Sequence, residues 1–244
     1  SGHYKANVTL SLAATPREVA TGFNGIYDMQ DMTADICSSA TIGQTGSLED
    51  VRDGSIYTVG KLTDGNCWMT RNLRLVDYTT TEDDSQTRGF TIPNEAANFT
   101  GINNNAAYYP GDTDYGAYYS WYTATAGTGT AELTSGNASG SICPKGWRLP
   151  TGGSGGEYQA LINGGVSDWA TNGSKNGYWI GANGSGGGAF FSVTGSYNDD
   201  TLGDVVGGYY WSSTADDGGG AYRLRFNQSS APFLYEGKVK YSGF

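Results

Sequence analysis

The chain has 244 residues, with 39 glycines, 18 tyrosines and 6 tryptophans beside 14 basic and 24 acidic side chains, giving a formal net charge of −10. This length supports one large domain or two small ones around a real apolar core, without help from metals or many cross-links. The negative charge opposes any phosphate backbone, because nucleic-acid affinity comes mainly from Lys and Arg displacing counterions, and no stretch approaches the roughly 18 apolar residues of a membrane span.

Along the chain, residues 4–13 set Val8, Leu10 and Leu12 against polar neighbours, the period of a half-buried strand. Nothing before them has the charged, apolar and small-residue order of a secretion signal, so the chain reads as a mature or trimmed ectodomain. A turn at Arg52, Asp53 and Gly54 leads into a strand over 56–59. A second turn over 63–66 leads into another at Cys67, Trp68 and Met69, which together predict a β-hairpin. Residues 77–117 lack a sustained period and predict long loops, with a short helix near 93–99. The run 118–122 reads as a buried aromatic turn of helix or strand. Over 153–162 the spacing of Glu157, Tyr158, Leu161 and Ile162 predicts a short helix. Strands are then expected over 178–181, 189–193, 209–212 and 221–227. Helices early and strands late point to an α+β class with an antiparallel sheet.

Few motifs carry chemistry. Gly152, Ser154 and Gly156 satisfy the string of a hydrolase nucleophile elbow, but no strand precedes the serine and the only histidine is His3. A glycine-rich entry to a helix accounts for the same residues. Asp112, Thr113, Asp114, Tyr115 and Gly116 look like half of a calcium loop and stop short of its ligand set. They read first as a solvated acidic turn, as do Asn198, Asp199, Asp200 and Asp204. No metal site and no cofactor are expected, and a structural calcium ion is without support. The three cysteines, Cys37, Cys67 and Cys143, are an odd number with no zinc spacing. Connectivity does not follow from sequence; the expected pair is Cys37 with Cys67, leaving Cys143 without a partner in the chain. Tyr209, Tyr210 and Trp211 would serve as a sugar-stacking platform or as alternating core. Trp211 reads as core, with Tyr209 open.

Five strings together resemble a known group. They are Asp50-Val51-Arg52-Asp53-Gly54 with Tyr57; Cys67-Trp68-Met69-Thr70-Arg71-Asn72-Leu73; Tyr118-Tyr119-Ser120-Trp121; Ile142-Cys143-Pro144-Lys145-Gly146-Trp147-Arg148-Leu149-Pro150; and Tyr210-Trp211-Ser212-Ser213-Thr214. In this order they resemble the bacterial paralogous domains with a C-type-lectin-like fold, related to the Fibrobacter succinogenes major paralogous domain. Within that group they look most like the variable proteins of diversity-generating retroelements from candidate-phylum bacteria. The resemblance covers roughly residues 27–244. It implies two short helices around a twisted antiparallel sheet with long loops, and a C-terminal region, about 209–244, whose exposed residues the retroelement varies. Residues 1–26 are then an N-terminal extension or edge strand. The family's closing segment, beyond Gly243 and Phe244, carries a cysteine, the expected partner of Cys143. Two departures stand out. The lectin calcium motifs are missing although Trp179, Ile180 and Gly181 match the fold's core element, and the catalytic cysteine pair of formylglycine-generating enzymes has no counterpart.

In the stretch 221–227, Tyr222, Leu224 and Phe226 share one face of a strand and Arg223, Arg225 and Asn227 the other. The first face is expected to hold the core and the second to meet a partner. Arg223, Arg225, Lys238 and Lys240 concentrate charge beside Phe233, Tyr235 and Tyr241, with Tyr209, Asp216, Asp217 and Tyr222 completing the candidate surface; Arg and Tyr dominate binding hot spots. The expected function is a non-catalytic receptor or adhesin domain at the cell surface or outside the cell. It would be monomeric, joined to an upstream anchoring region, and bind a protein or cell-surface ligand but not nucleic acid. The alternatives are a structural cell-surface module without a specific ligand and, further off, a formylglycine-generating-enzyme-like protein.

Overall fold

The computed structural model describes residues 21–111, 115–181, 188–198, 201–203, 206–240 and 243, and their side chains except at 98, 197, 198, 201 and 234–239. The strand expected over residues 4–13 lies outside them. In chain order the helices are α1 (Ala34–Ser39), α2 (Trp121–Ala124) and α3 (Glu157–Asn163). The strands are β1 (Thr45–Asp50), β2 (Ser55–Lys61), β3 (Cys67–Met69), β4 (Tyr78–Thr79), β5 (Thr91–Ile92), β6 (Ala107–Tyr108), β7 (Tyr118–Tyr119), β8 (Gly136–Asn137), β9 (Ala170–Asn172), β10 (Lys175–Ile180), β11 (Ala189–Ser192), β12 (Ser196–Asn198), β13 (Thr201–Gly203), β14 (Gly207–Ala215), β15 (Gly220–Asn227) and β16 (Ser230–Val239).

This corrects the expected α+β class with two helices around one sheet. Among the described residues, strand accounts for 34% and helix for 13%, and only α3 reaches seven residues. The strands form several small antiparallel sheets, the largest ordered β16-β15-β14-β8, and they begin early, with β1-β2-β3 near the N-terminal end. A dense supply of Gly, Asn, Asp, Ser and Thr closes short turns cheaply but breaks helices, so pairing stays local. None of the described helices is long and apolar enough to cross a membrane.

The hairpin forms as expected. Gly54, at φ 70°, closes the β1–β2 turn in the left-handed region that glycine occupies without strain. The Asp64 carboxylate accepts from the Asn66 backbone at 3.1 Å to shape the β2–β3 turn. Helix α3 starts four residues later than the expected range 153–162, at the first residue of its spacing, because Gly153 and Gly155 take positive φ. Its start is held reciprocally: the Glu157 backbone N–H donates to Thr151 Oγ1 at 2.9 Å, and the Thr151 N–H donates to the Glu157 carboxylate at 2.9 Å. The expected helix near 93–99 is one 3₁₀ turn, Ala96–Asn98. The run 118–122 is both of its readings in succession, strand β7 and then α2, which Ser120 caps by accepting from the Thr123 N–H.

Three large apolar clusters build the interior, beside a small fourth one of Phe99, Ala106 and Tyr118. The first surrounds Trp121 with Leu75, Ile92, Tyr119, Tyr209, Trp211 and Ala221. The second joins Tyr158 and Leu161 of α3 to Tyr178, Phe191, Leu224 and Phe226. The third lies under the N-terminal sheet, with Met29, Leu48, Tyr57, Val59 and Trp147. Strand β14 is buried at most positions because it runs between the first two clusters. Tyr209 and Trp211 enter one and Tyr210 the other. Indole donors bolt the layers together: Trp121 Nε1 donates to Ser212 O at 2.7 Å, Trp211 Nε1 to Tyr119 O at 2.9 Å and Trp147 Nε1 to Met29 O at 2.9 Å. Cys37 and Cys67 form the expected disulfide, tying α1 to β3.

Candidate functional site

The C-terminal sheet sorts the predicted surface residues into four environments. The first is a row across the sheet. The register aligns Tyr209 of β14, Arg225 of β15 and Phe233 of β16, and beside it Trp211, Arg223 and Tyr235. Both guanidinium groups lie over the Tyr209 ring, Arg223 at 4.9 Å from its centroid and Arg225 at 5.8 Å, an arrangement that favours cations through the ring's negative face. The row descends into the protein: Tyr209 is 3% exposed and Arg223 5%, while Arg225 is half-buried and Phe233 exposed. Arg223 is therefore not on a solvent-facing surface. Leu224 and Phe226 do occupy the core face, but the opposite face meets the Trp121 cluster through Ala221 and Trp211.

The second environment is the turns. Asp216 is buried, and its carboxylate accepts from the Gly218 and Gly220 backbones at 2.8 and 2.9 Å, closing the β14–β15 turn; Asp217 beside it is exposed. Asn227 closes the β15–β16 turn, its Oδ1 accepting from the Ser229 N–H at 2.9 Å. In the third, half-buried Tyr222 stands over Gly152 and Gly153, where a Cβ on Gly152 would sit 2.5 Å from Tyr222 Cβ. That close approach explains Gly152 of the nucleophile-like string, while a Cβ on Gly156 would sit 2.5 Å from the Gly152 carbonyl oxygen.

The fourth corrects Lys240. Its side chain is fully buried, Nζ donating to Thr130 O at 2.9 Å and Leu133 O at 2.6 Å and lying 4.7 Å from the centre of a Trp121 ring. Burial lowers its pKa, against the opposing pull of Asp216 and Glu132. It is an internal clamp rather than a surface cation. The side chains of Tyr235 and Lys238, and all of Tyr241, lie outside the described residues, as do Asp112, Thr113, Asp114, Asp199, Asp200 and Asp204 of the acidic turns.

Sequence reading passed over two features. One is a buried polar network in which Arg52 binds Asp50 through Nε at 2.8 Å and Nη2 at 2.6 Å, and reaches Ile142 O at 2.6 Å through Nη1. A turn-like Arg-Asp-Gly string hides such a role. The other is a cleft of about 420 Å³ where the three clusters meet, with Trp68, Tyr115, Tyr158, Phe190, Tyr209 and Cys143 among its walls. The Cys143 thiol is half-buried and unbridged, and burial raises its pKa over the opposing influence of Ser141, Arg52 and Arg148. That environment favours thiol over thiolate. Among the described residues, no three His, Cys, Asp or Glu side chains lie together as metal ligands.

A β-rich, disulfide-tied domain with a layered aromatic interior is the class these observations define. The family model of the Fibrobacter succinogenes major domain matches residues 63–238, a span that takes in most of the chain, most of the cleft lining and nearly all of the C-terminal sheet. The chain belongs to that family. No curated protein and no solved structure matches it.

Proposed function

We propose that this domain is a non-catalytic receptor or adhesin module, displayed at the cell surface or outside the cell, that binds a protein or polymer ligand through its C-terminal sheet. The exposed positions there would be the ones a retroelement diversifies. The observation that carries this reading is the row Tyr209, Arg225 and Phe233, in which a buried ring supports a half-exposed guanidinium beside an exposed aromatic side chain. Arginine and aromatic groups held rigid before contact lose little entropy on binding, the property that makes them hot spots. The disulfide agrees with an oxidising compartment. Among the described side chains, the burial of Arg223, Asp216 and Lys240 and the turn-closing role of Asn227 narrow the binding set to Asp217, Tyr222, Arg225 and Phe233, and the same burial favours the second reading, a structural surface module.

Sequencing the locus in sibling isolates separates the two. A diversified receptor shows an adjacent reverse transcriptase and a near-copy of the 3′ coding segment, with changes concentrated at Asp217, Tyr222, Arg225 and Phe233 while Tyr209, Asp216, Arg223 and Lys240 stay constant. Substitutions spread evenly along the chain would overturn the receptor reading.

A further inference from the structure

The cleft between the three clusters has the size of a small-molecule site, since such sites span about 300–1,000 Å³. Eleven aromatic rings stand among its walls, and the polar tips of most of them are engaged elsewhere. Tyr119 OH donates to Leu75 O at 2.9 Å, Tyr158 OH to Trp211 O at 3.2 Å and Tyr210 OH to Ser192 O at 2.8 Å. The indole of Trp68 donates to Asp64 at 3.0 Å, and that of Trp211 to Tyr119 O at 2.9 Å. At the edge, Arg148 and Glu157 bind each other at 2.5 Å. The polar side chains among the walls are engaged as well, Arg71 donating to Ile56 O at 3.2 Å and Asn72 to Tyr115 O at 2.8 Å, so few free donors face the space.

We propose that this cleft is a binding site for a flat, uncharged apolar group of the size of one or two fused rings. A polyhydroxylated ring of similar size would have to leave its own hydrogen bonds to water for walls that offer few donors, at a cost that an apolar ring does not incur. Ring faces also reward offset or edge-on aromatic contact beyond simple burial. The site is separate from the exposed row on the C-terminal sheet, although the Tyr209 ring belongs to both.

The test uses the whole chain with indole as probe and glucose as the polar control. Calorimetric titration should show saturable indole binding with a dissociation constant at or below about 1 mM, and no saturation with glucose. Because Cys143 lines the cleft and is the one unbridged cysteine, saturating indole should slow its alkylation by iodoacetamide at least fivefold. The substitution Leu73→Trp, which projects bulk from the wall, should weaken indole binding at least tenfold while the urea unfolding midpoint holds. Should that variant fail to fold, Phe190→Trp, elsewhere in the lining, carries the same expectation. Absence of indole saturation, saturation without protection of Cys143, or equal binding of glucose would each overturn the proposal.

Discussion

Asp50 and Arg52, two residues apart at the end of β1, form an ion pair at 2.6 Å in which both side chains are wholly enclosed. The same guanidinium donates to Ser85 Oγ at 3.0 Å and to Ile142 O, so one turn holds two distant loops. Removing one partner leaves a buried charge uncompensated, which costs about 3–5 kcal/mol. Arg52→Met and Asp50→Asn should each lower stability by about that amount. The double variant should lose much less than the sum, as read from urea unfolding in a double-mutant cycle. Additive losses would mean that the pair is not coupled.

The acid limb of stability should come in part from Asp84 and Glu157. Burial alone would raise both pKa values. For Asp84, hydrogen bonds from Thr81, Ser85 and Tyr78 win and lower it; for Glu157, Arg148 and the Thr151 backbone do the same. A carboxylate with a lowered folded pKa stabilises fully above its unfolded value and loses that contribution as pH falls through the folded one. The loss should therefore begin as pH drops past the ordinary values of 3.8 for Asp84 and 4.5 for Glu157. Glu157→Gln should flatten the acid limb of the unfolding free energy against pH; an unchanged slope would count against this account.

The disulfide spans 30 residues. Closing a loop of that length in the unfolded chain is worth about 3–4 kcal/mol by chain entropy. Replacing Cys37 and Cys67 together by Ala should lower stability by that order, without creating a new reactive site at Cys143, whose labelling rate should stay within about twofold. A fast-reacting Cys143 in the double variant would show that the bridge also shields the cleft.

Arg223 and Arg225 differ by two positions but should behave differently. Arg223→Ala empties buried space and removes stem packing as well as charge, so a loss of about 1–3 kcal/mol is expected. Arg225→Ala, on a half-exposed side chain, should stay within about 0.5 kcal/mol. Lys240→Met leaves the carbonyls of Thr130 and Leu133 without their donor and should cost about 2–3 kcal/mol. Thermal and urea unfolding of the three variants give the ranking, and an Arg225 loss equal to that of Arg223 would contradict the described burial.

Much of the local architecture was readable from residue order. Alternation in β2, β10 and β15, glycine and aspartate at the hairpin turns, and the spacing of Tyr158 and Leu161 are properties of a few neighbours, so periodicity reports them directly. The inward set Leu224 and Phe226 followed in the same way. What lies opposite a strand does not: a period of two says that faces differ, not that one of them is wet. The second face of β15 is closed by an aromatic cluster whose Trp121 reaches Ser212 across 91 residues, and Arg52 meets Ile142 across 90. Contacts that remote buried Arg223 and Lys240 and opened the cleft, because burial is decided by where separate elements meet in space.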